Sequence, residues 1–268
     1  MALALYRKYR PQTFADLIGQ NEVREILQNA ARQNKIAHAY LFYGGRGSGK
    51  TTAARLIAKV ANCETRRDDA KFRELGEPCN KCRPCNEIDA GTALDVIEID
   101  AASNRGIDDI RDLKEGIKLS PTSYAFKVFI IDEMHMLTKE AFNALLKTLE
   151  EPPTHAIFVL ATTEYDKVPP TIASRTQRFH FKRQSVAEVV QKLQFIVKAE
   201  KLKVSEEALE LIAAIAEGSF RDAESLLDQT VSFAGEVDVK TVEHIVGRVG
   251  HRAVAAMADF LLKKDLKG

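Results

Sequence analysis

The feature that most constrains the fold of this chain is a glycine-rich segment at residues 44–51, GGRGSGKT, which matches the pattern G-x-x-x-x-G-K-[ST]. An apolar run at residues 40–43 precedes it, and a helical pattern at residues 52–60 follows it. In this context backbone N–H groups can surround phosphate oxygens at the start of a helix. The pattern predicts a nucleoside triphosphate site in which Lys50 reaches the β- and γ-phosphates and Thr51 coordinates Mg²⁺. The residues predicted to bind the nucleotide are Gly44, Gly45, Arg46, Gly47, Ser48, Gly49, Lys50, Thr51 and Thr52. The alternative is a glycine-rich turn that contains a lysine by chance.

Short apolar runs predict a sheet around this segment. Four of them are rich in β-branched and aromatic residues, and a fifth follows near the end of the region, at residues 39–43, 95–100, 128–132, 156–162 and 178–181. Because the first four runs are almost entirely apolar rather than alternating, they are typical of parallel strands covered by helices on both faces. Helical patterns lie between them, for example at residues 138–150, with Thr138 as the expected N-cap. The sequence predicts a doubly wound α/β domain with a five-stranded parallel sheet.

The character of the sequence changes after about residue 182. Amphipathic helical patterns follow one another without a strand candidate, at residues 186–200, 205–217, 220–234 and 240–246. We therefore expect an α/β domain at residues 1–182 and a small all-helical domain at residues 183–246. Residues 247–268 begin another helix, which we expect to be the start of a truncated third domain.

Two carboxylates, Asp132 and Glu133, follow the apolar run at residues 128–131. Ligands of open α/β sheets bind at the carboxyl ends of the parallel strands. The pattern predicts that Asp132 holds Mg²⁺ through water and that Glu133 orients or deprotonates an attacking water. The alternative is a pair of solvated acids at the start of a loop. The phosphate-binding pattern earlier in the chain favours the functional interpretation.

All four cysteines of the chain lie close together in the sequence. Cys63 is followed by Cys79, Cys82 and Cys85 in two consecutive C-x-x-C spacings. This spacing allows four thiolates to converge on one Zn²⁺ ion, and the polar segment at residues 64–78 has few apolar side chains with which to form a core of its own. The sequence predicts a structural zinc module at about residues 62–90. Four free buried thiols and, less favoured, an iron–sulfur cluster are the alternatives.

The overall composition excludes some classes of protein. The 39 Lys and Arg residues nearly balance the 38 Asp and Glu residues, so any contact with nucleic acid must use a local patch. The first residues carry too short an apolar stretch for a signal peptide, and no apolar run reaches the ~18 residues that span a bilayer. We expect a cytoplasmic protein without a membrane partner.

Three further polar residues remain ambiguous from local pattern alone. Arg221 is predicted in the first turn of a helix, where the helix dipole disfavours a cation, so it could face a phosphate or form an ion pair with Asp222 or Glu224. Arg175 follows a short helix, a favourable position that requires no function. Thr163 directly follows the fourth predicted strand and could be either part of a polar strand end or a phosphate sensor.

Several longer motifs accompany the glycine-rich loop and the cysteines. They are YRP at residues 9–11, FADLIGQ at 14–20, DAASN at 100–104, DEMHML at 132–137, FNALLKTLEEP at 142–152, LATT at 160–163, SR at 174–175 and the segment 218–229. With these motifs the chain resembles, over residues 3–246, the tau/gamma family of AAA+ clamp-loader ATPases of bacterial DNA polymerase III. The cysteines after the phosphate-loop helix separate this family from eukaryotic-type clamp-loader subunits.

The resemblance implies roles for the residues that local pattern leaves open. Thr163 corresponds to the first phosphate sensor, and Arg221 corresponds to the second, on a helical lid. Arg175 corresponds to a finger that reaches the ATP of a neighbouring subunit. The adenine is expected to pack against Tyr6, Arg10, Pro11 and Ile18. One departure is Thr176, where many members carry cysteine, and we expect little effect from it because the arginine is retained.

The resemblance also implies the partners. They are the other subunits of a hetero-pentameric clamp loader, a ring-shaped sliding clamp and primed-template DNA. Arg105, Arg111 and Lys114 are expected near the DNA phosphates. Two other functions remain open, an AAA+ translocase on duplex DNA and a scaffold that binds ATP without hydrolysing it.

Overall fold

The computed structural model describes residues 3–103 and 115–247. These residues form two compact units, one of residues 10–183 and one in which residues 3–9 join residues 184–247. Arg105, Arg111 and Lys114 lie outside the described residues, as does all but the first residue of the expected third domain. Within the described residues, no helix combines the length and the apolar content needed to cross a bilayer.

The first unit is built on a five-stranded parallel sheet, as the sequence predicts. Its spatial strand order is β2-β3-β4-β1-β5. The strands are β1 Ala39–Gly44, β2 Val96–Asp100, β3 Lys127–Asp132, β4 Ala156–Thr162 and β5 Gln177–Phe181. The central strand β4 is buried along its whole length, because helices cover both faces of the sheet. This order places the ends of β1, β3 and β4 side by side.

The helices of the first unit contribute two apolar clusters, one on each face of the sheet. Successive strand residues point to opposite faces, so Phe42 joins one cluster with Leu56, whereas Leu41 joins the other with Leu145. The Thr138 hydroxyl accepts a hydrogen bond from the amide of Ala141 at 3.2 Å and caps a helix, as predicted. The helices are α2 Asn21–Arg32, α3 Lys50–Asn62, α4 Glu64–Asp68, α5 Ala70–Arg73, α6 Arg83–Ala90, α7 Lys139–Glu150 and α8 Pro170–Ala173.

Asp95 differs from its predicted position inside a strand. Its buried carboxylate accepts hydrogen bonds from the amides of Thr122, Ser123 and Tyr124 at 2.7–2.9 Å. The strand therefore begins one residue later, at Val96. A buried carboxylate is tolerated here because three backbone donors satisfy it.

The second unit is helical, as predicted, with one small addition. Serines at positions 185, 205 and 219 cap three of its helices. Two parallel strands of two residues each, β6 Lys203–Val204 and β7 Glu236–Val237, pair between the helices. The sequence did not indicate them, because two residues are too few to show a periodic pattern. The helices are α1 Leu5–Lys8, α9 Val186–Glu200, α10 Glu206–Ile215, α11 Phe220–Phe233 and α12 Val239–Val246.

Candidate functional site

The glycine-rich loop connects β1 to α3 and depends on glycine at its first position. Gly44 has φ of +144°, and a Cβ atom there would lie 2.1 Å from the carbonyl oxygen of Phe181 on the neighbouring strand. Gly49, with φ of +102°, precedes Lys50, the first residue of the helix. The loop therefore turns closely over the sheet and leads directly into a helix N-terminus, where an anion can bind.

Lys50 lies inside the loop. Its ammonium group donates hydrogen bonds to the carbonyl oxygens of Gly44 at 3.0 Å and Gly45 at 2.8 Å. Burial lowers the pKa of Lys50, while the negative charges of Asp132 and Glu133 act in the opposite direction. A buried ammonium near two carboxylates and a helix N-terminus is placed to bind phosphate oxygens. The other loop side chains have simpler surroundings, since Arg46 is exposed, Thr52 is half-buried and the Ser48 hydroxyl donates to Gly45.

Asp132 meets the loop directly. It is the last residue of β3, and its Oδ2 atom accepts a hydrogen bond from the Thr51 hydroxyl at 2.6 Å. The two residues are 81 positions apart in the sequence, and the parallel sheet brings them together. A hydroxyl and a carboxylate are ligands that Mg²⁺ accepts directly or through water, so this pair could hold the ion.

Glu133 lies beside Asp132 in a left-handed backbone conformation, with φ of 47°. Its Oε2 atom accepts hydrogen bonds from the hydroxyl of Thr163 at 2.7 Å and from the amide of Thr163 at 3.2 Å. The carboxylate of Glu133 and the hydroxyl of Thr163 are thus held together at the ends of two neighbouring strands. The structure brings Lys50, Thr51, Asp132, Glu133 and Thr163 to one edge of the sheet.

His135 belongs to the same site and received no role from the sequence. Its side chain is only 5% exposed, and Nδ1 lies 2.9 Å from the Thr162 hydroxyl oxygen and 3.4 Å from Oε2 of Glu133. Nε2 lies 3.0 Å from a carboxylate oxygen of Glu164. The sequence signal that could have found it is its position three residues after the end of the acidic strand.

Arg175 makes contacts within its own chain. One guanidinium nitrogen donates to the carboxylate of Glu150 at 2.6 Å, and another donates to the carbonyl oxygen of Thr171 at 2.8 Å. Its side chain is 34% exposed. The hydroxyl of Thr176 donates to the carbonyl oxygens of Ile172 and Ala173 in the preceding short helix. The expectation that threonine in place of cysteine at this position has little effect stays a prediction. The predicted role of Arg175 toward a neighbouring subunit also stays a prediction.

Arg221 and Tyr6 lie in the second unit and contact each other. The guanidinium carbon of Arg221 lies 5.1 Å from the centroid of the Tyr6 ring, close enough for a cation–π interaction. A hydrogen bond from Arg7 and the charge of Arg7 lower the pKa of the Tyr6 hydroxyl. The charge of Arg221 lowers it further. Of the other residues expected around the adenine, Arg10, Pro11 and Ile18 belong to the first unit, and this pocket stays a prediction.

The four cysteines converge as their spacing predicts. The sulfur atoms of Cys63, Cys79, Cys82 and Cys85 all lie within 4.8 Å of one another. Four thiolates around Zn²⁺ at about 2.3 Å would be about 3.8 Å apart, which is close to the 4.0 Å between the sulfurs of Cys63 and Cys82.

Local hydrogen bonds favour the thiolate form at two of the four cysteines, Cys63 and Cys79, whose pKa values are lowered. Backbone amides donate to sulfur, from Cys79 to Cys63 at 3.4 Å and from Cys82 to Cys79 at 3.2 Å. A hydrogen bond from the Cys85 thiol lowers the pKa of Cys63 to about 4, and the same bond together with burial raises the pKa of Cys85. The donor set fits a tetrahedral zinc ion.

Two family models match the chain. The model described as "DNA polymerase III, delta subunit" matches residues 19–185, and the model described as "DNA polymerase III clamp loader subunit, ATPase lid domain" matches residues 188–236. Together they cover most of the two compact units.

Curated relatives match nearly the whole chain. DNA polymerase III subunit tau of Bacillus subtilis is 51% identical over 264 residues, covering 98% of this chain and 46% of that protein. DNA polymerase III subunit tau of Escherichia coli is 44% identical, covering 97% of this chain and 40% of that protein. A DNA polymerase III subunit gamma of Buchnera aphidicola is 42% identical, covering 98% and 71%. The chain thus spans less than half the length of the tau proteins that it matches.

Solved structures of Thermotoga maritima RuvB, a Holliday junction branch migration motor, share the fold. One of them has a TM-score of 0.59 at 19% sequence identity, covering 87% of this chain and 70% of that chain. At this identity the likeness shows the fold alone. From the family models and the curated relatives together, the chain belongs to the tau/gamma family of DNA polymerase III subunits.

Proposed function

We propose that this chain is an ATP-hydrolysing motor subunit of a clamp loader, which opens a sliding clamp and loads it on primed DNA. One observation carries the proposal. Lys50, Thr51, Asp132 and Glu133 meet at the carboxyl edge of the sheet, with the Thr51 hydroxyl 2.6 Å from the Asp132 carboxylate. This combination of a phosphate-binding loop, a magnesium-binding pair and a water-orienting carboxylate is what phosphoryl transfer requires.

Each residue at this edge has a distinct task in the proposed reaction. The loop amides and Lys50 bind the phosphates of ATP. Thr51 and Asp132 would hold Mg²⁺, which would supply positive charge to the phosphate oxygens. Glu133 orients the attacking water and accepts its proton. Thr163 fixes the position of Glu133 through its hydroxyl and its amide, as the first sensor would.

Residues outside this edge complete the proposed site. Arg175 supplies a positive charge to the ATP of a neighbouring subunit, which would raise the rate by roughly 10³–10⁵. Arg221 acts as the second sensor, as the family resemblance implies. Tyr6, Arg10, Pro11 and Ile18 contact the adenine, as the family resemblance implies.

The zinc module has a structural task in this proposal. The four cysteines would bind one Zn²⁺ ion and leave no open position, so the metal would stabilise the insertion and take no part in hydrolysis. The close approach of the four sulfur atoms supports this assignment.

The proposed partners follow from the family. They are the other subunits of the hetero-pentamer, the sliding clamp and primed-template DNA, and the proposed location is the cytoplasm. ATP binding at subunit interfaces would tighten the assembly around the clamp, and hydrolysis after DNA contact would release it.

The rate of ATP hydrolysis by the full-length subunit, assembled with its partner subunits, tests this function. The rate is measured alone, with clamp, with primed DNA, with duplex DNA and with clamp plus primed DNA. Stimulation that requires both clamp and primed DNA is the expected result. Stimulation by duplex DNA alone would show a translocase instead, and absence of hydrolysis in every mixture would show a scaffold.

A further inference from the structure

The segment between the first and second cysteines makes long-range contacts with the N-terminal part of the first unit. Glu77 lies two residues before Cys79. Its carboxylate accepts hydrogen bonds from the amide of Phe14 at 2.7 Å and from the amide of Ala15 at 2.9 Å. The side-chain amide of Gln28 donates to the same carboxylate at 2.5 Å. We call the segment at about residues 62–90 the cysteine module. One of its side chains thus holds the backbone of residues 14 and 15.

A second contact uses a buried lysine. The Lys59 side chain is 1% exposed, and its ammonium group lies 2.6 Å from the carboxylate of Asp89. The same group donates to the side-chain oxygens of Gln12 at 2.6 Å and Asn80 at 2.9 Å. Asn80 stands between Cys79 and Cys82 in a left-handed conformation, so its position depends on how those two cysteines are held.

The module also packs closely on helix α2. A Cβ atom at Gly76, which has φ of +72°, would lie 2.6 Å from the carbonyl oxygen of Gln28. The buried guanidinium of Arg66 donates to the carbonyl oxygen of Ala31 at 2.7 Å. These backbone contacts leave the module little room to shift independently of residues 12–32.

The segment that the module holds reaches the phosphate-binding loop. Leu17 is buried in the same apolar cluster as Ala53 and Leu56 of the loop's helix. Gln20 is 3% exposed, and its side-chain amide donates to the carbonyl oxygens of Lys182 at 2.8 Å and Ser48 at 3.4 Å. A continuous set of contacts therefore leads from the cysteines through residues 12–20 to the loop.

We propose that the cysteine module holds residues 12–20 in place, with Glu77 as its positioning residue. Occupancy of the cysteine site by Zn²⁺ thereby strengthens nucleotide binding. The proposal rests on the proposed function, because it takes the loop as the nucleotide site. Without the metal, Asn80 and Glu77 lose their fixed positions, and the segment beside the loop loosens. Coupling of this kind is reciprocal in binding free energy, so bound nucleotide also raises the affinity of the cysteine site for Zn²⁺.

The test compares the full-length wild-type subunit with Glu77→Gln, which removes a carboxylate but keeps all four cysteines. Glu74→Gln, an exposed glutamate three residues earlier, is the matched control. Three quantities are measured before and after treatment with a zinc chelator. They are the zinc content, the Kd for ATP and the hydrogen exchange of residues 12–20.

In the wild type, we expect chelation to raise the Kd roughly 5- to 20-fold and to speed exchange at residues 12–20. Glu77→Gln should show both changes with its zinc retained, and chelation should add little further. Glu74→Gln should behave as the wild type.

Two results would overturn the proposal that the cysteine module holds residues 12–20 in place. One is an unchanged Kd and unchanged exchange in Glu77→Gln, and the other is chelation that empties the site without affecting residues 12–20. A wild-type chain that holds zinc but binds no nucleotide would overturn the proposed function instead, while the exchange data would still decide whether the module fixes the segment.

Discussion

At the scale of single residues, Glu133 depends on neighbours that hold its carboxylate. Thr163 donates two hydrogen bonds to one oxygen, and the buried His135 lies 3.4 Å from the same oxygen while Glu164 faces its other nitrogen. Since the catalytic power of a water-orienting carboxylate depends on its position, we propose that His135 acts as a positioning residue for Glu133.

Replacing His135 tests this role. We expect His135→Ala to lower kcat roughly 10- to 100-fold with little change in KM, because the loop that binds the phosphates is untouched. His135→Asn should recover part of the loss, since its amide can take the place of Nδ1. Steady-state ATPase kinetics of both variants check this. Equal kcat values for Ala, Asn and wild type would contradict it.

The buried ammonium of Lys50 predicts a pH dependence. Burial lowers the pKa of Lys50 in the free chain, whereas bound phosphates favour its charged form. Nucleotide affinity should therefore be highest below the lowered pKa of Lys50 and fall as the pH rises through that pKa. Affinity measured by calorimetry from neutral to alkaline pH tests the sign. A Lys50→Arg variant, which stays charged, should lack this decline even if it binds more weakly.

At the scale of elements, the pairing of β1 with β5 sets the shape of the phosphate-binding loop. A Cβ at Gly44 would lie 2.1 Å from a backbone oxygen of the neighbouring strand, and neither strand can yield without losing pairing. We expect Gly44→Ala to destabilise the chain by about 2–4 kcal/mol and to abolish nucleotide binding. Denaturant unfolding measures the first effect. Gly235→Ala, where the added atom meets open space, should be nearly neutral.

Local patterns in the sequence predict most of these elements and the centre of the site. The apolar runs give the parallel strands, and the loop motif and the acidic pair follow two of them, so their meeting at one edge follows from the sheet. The two-residue strands β6 and β7 were not predicted, because they have no periodicity.

Contacts between distant residues were not predictable in the same way. The carboxylate of Glu77 meets the amide of Phe14 across 63 positions, and His135 meets Thr162 across 27. Polar residues of this kind look like ordinary solvated side chains until the fold places them. Only the three-dimensional structure shows these contacts.

At the scale of the whole molecule, the site is proposed to be completed by assembly. Arg175 is held by Glu150 within its own chain, and the family resemblance assigns it to a neighbour's nucleotide. The curated tau relatives are more than twice as long as this chain.

Removing the guanidinium of Arg175 should separate binding from hydrolysis. We expect Arg175→Ala to bind ATP with unchanged affinity and to lower hydrolysis in the assembled complex by roughly 10³-fold or more. Complexes that mix Arg175→Ala with wild-type subunits locate the effect. Loss of hydrolysis at the neighbouring subunit supports action across the interface, whereas loss confined to the mutated subunit would contradict it.

The central claim is that Glu133 activates water at a nucleotide held by Lys50, Thr51 and Asp132. The most direct measurement is the single-turnover hydrolysis of ATP already bound to the full-length Glu133→Gln subunit in its complex. We predict that ATP binds as in the wild type and that its hydrolysis slows by roughly 10²–10⁴-fold. Hydrolysis of the bound ATP at the wild-type rate would contradict the account.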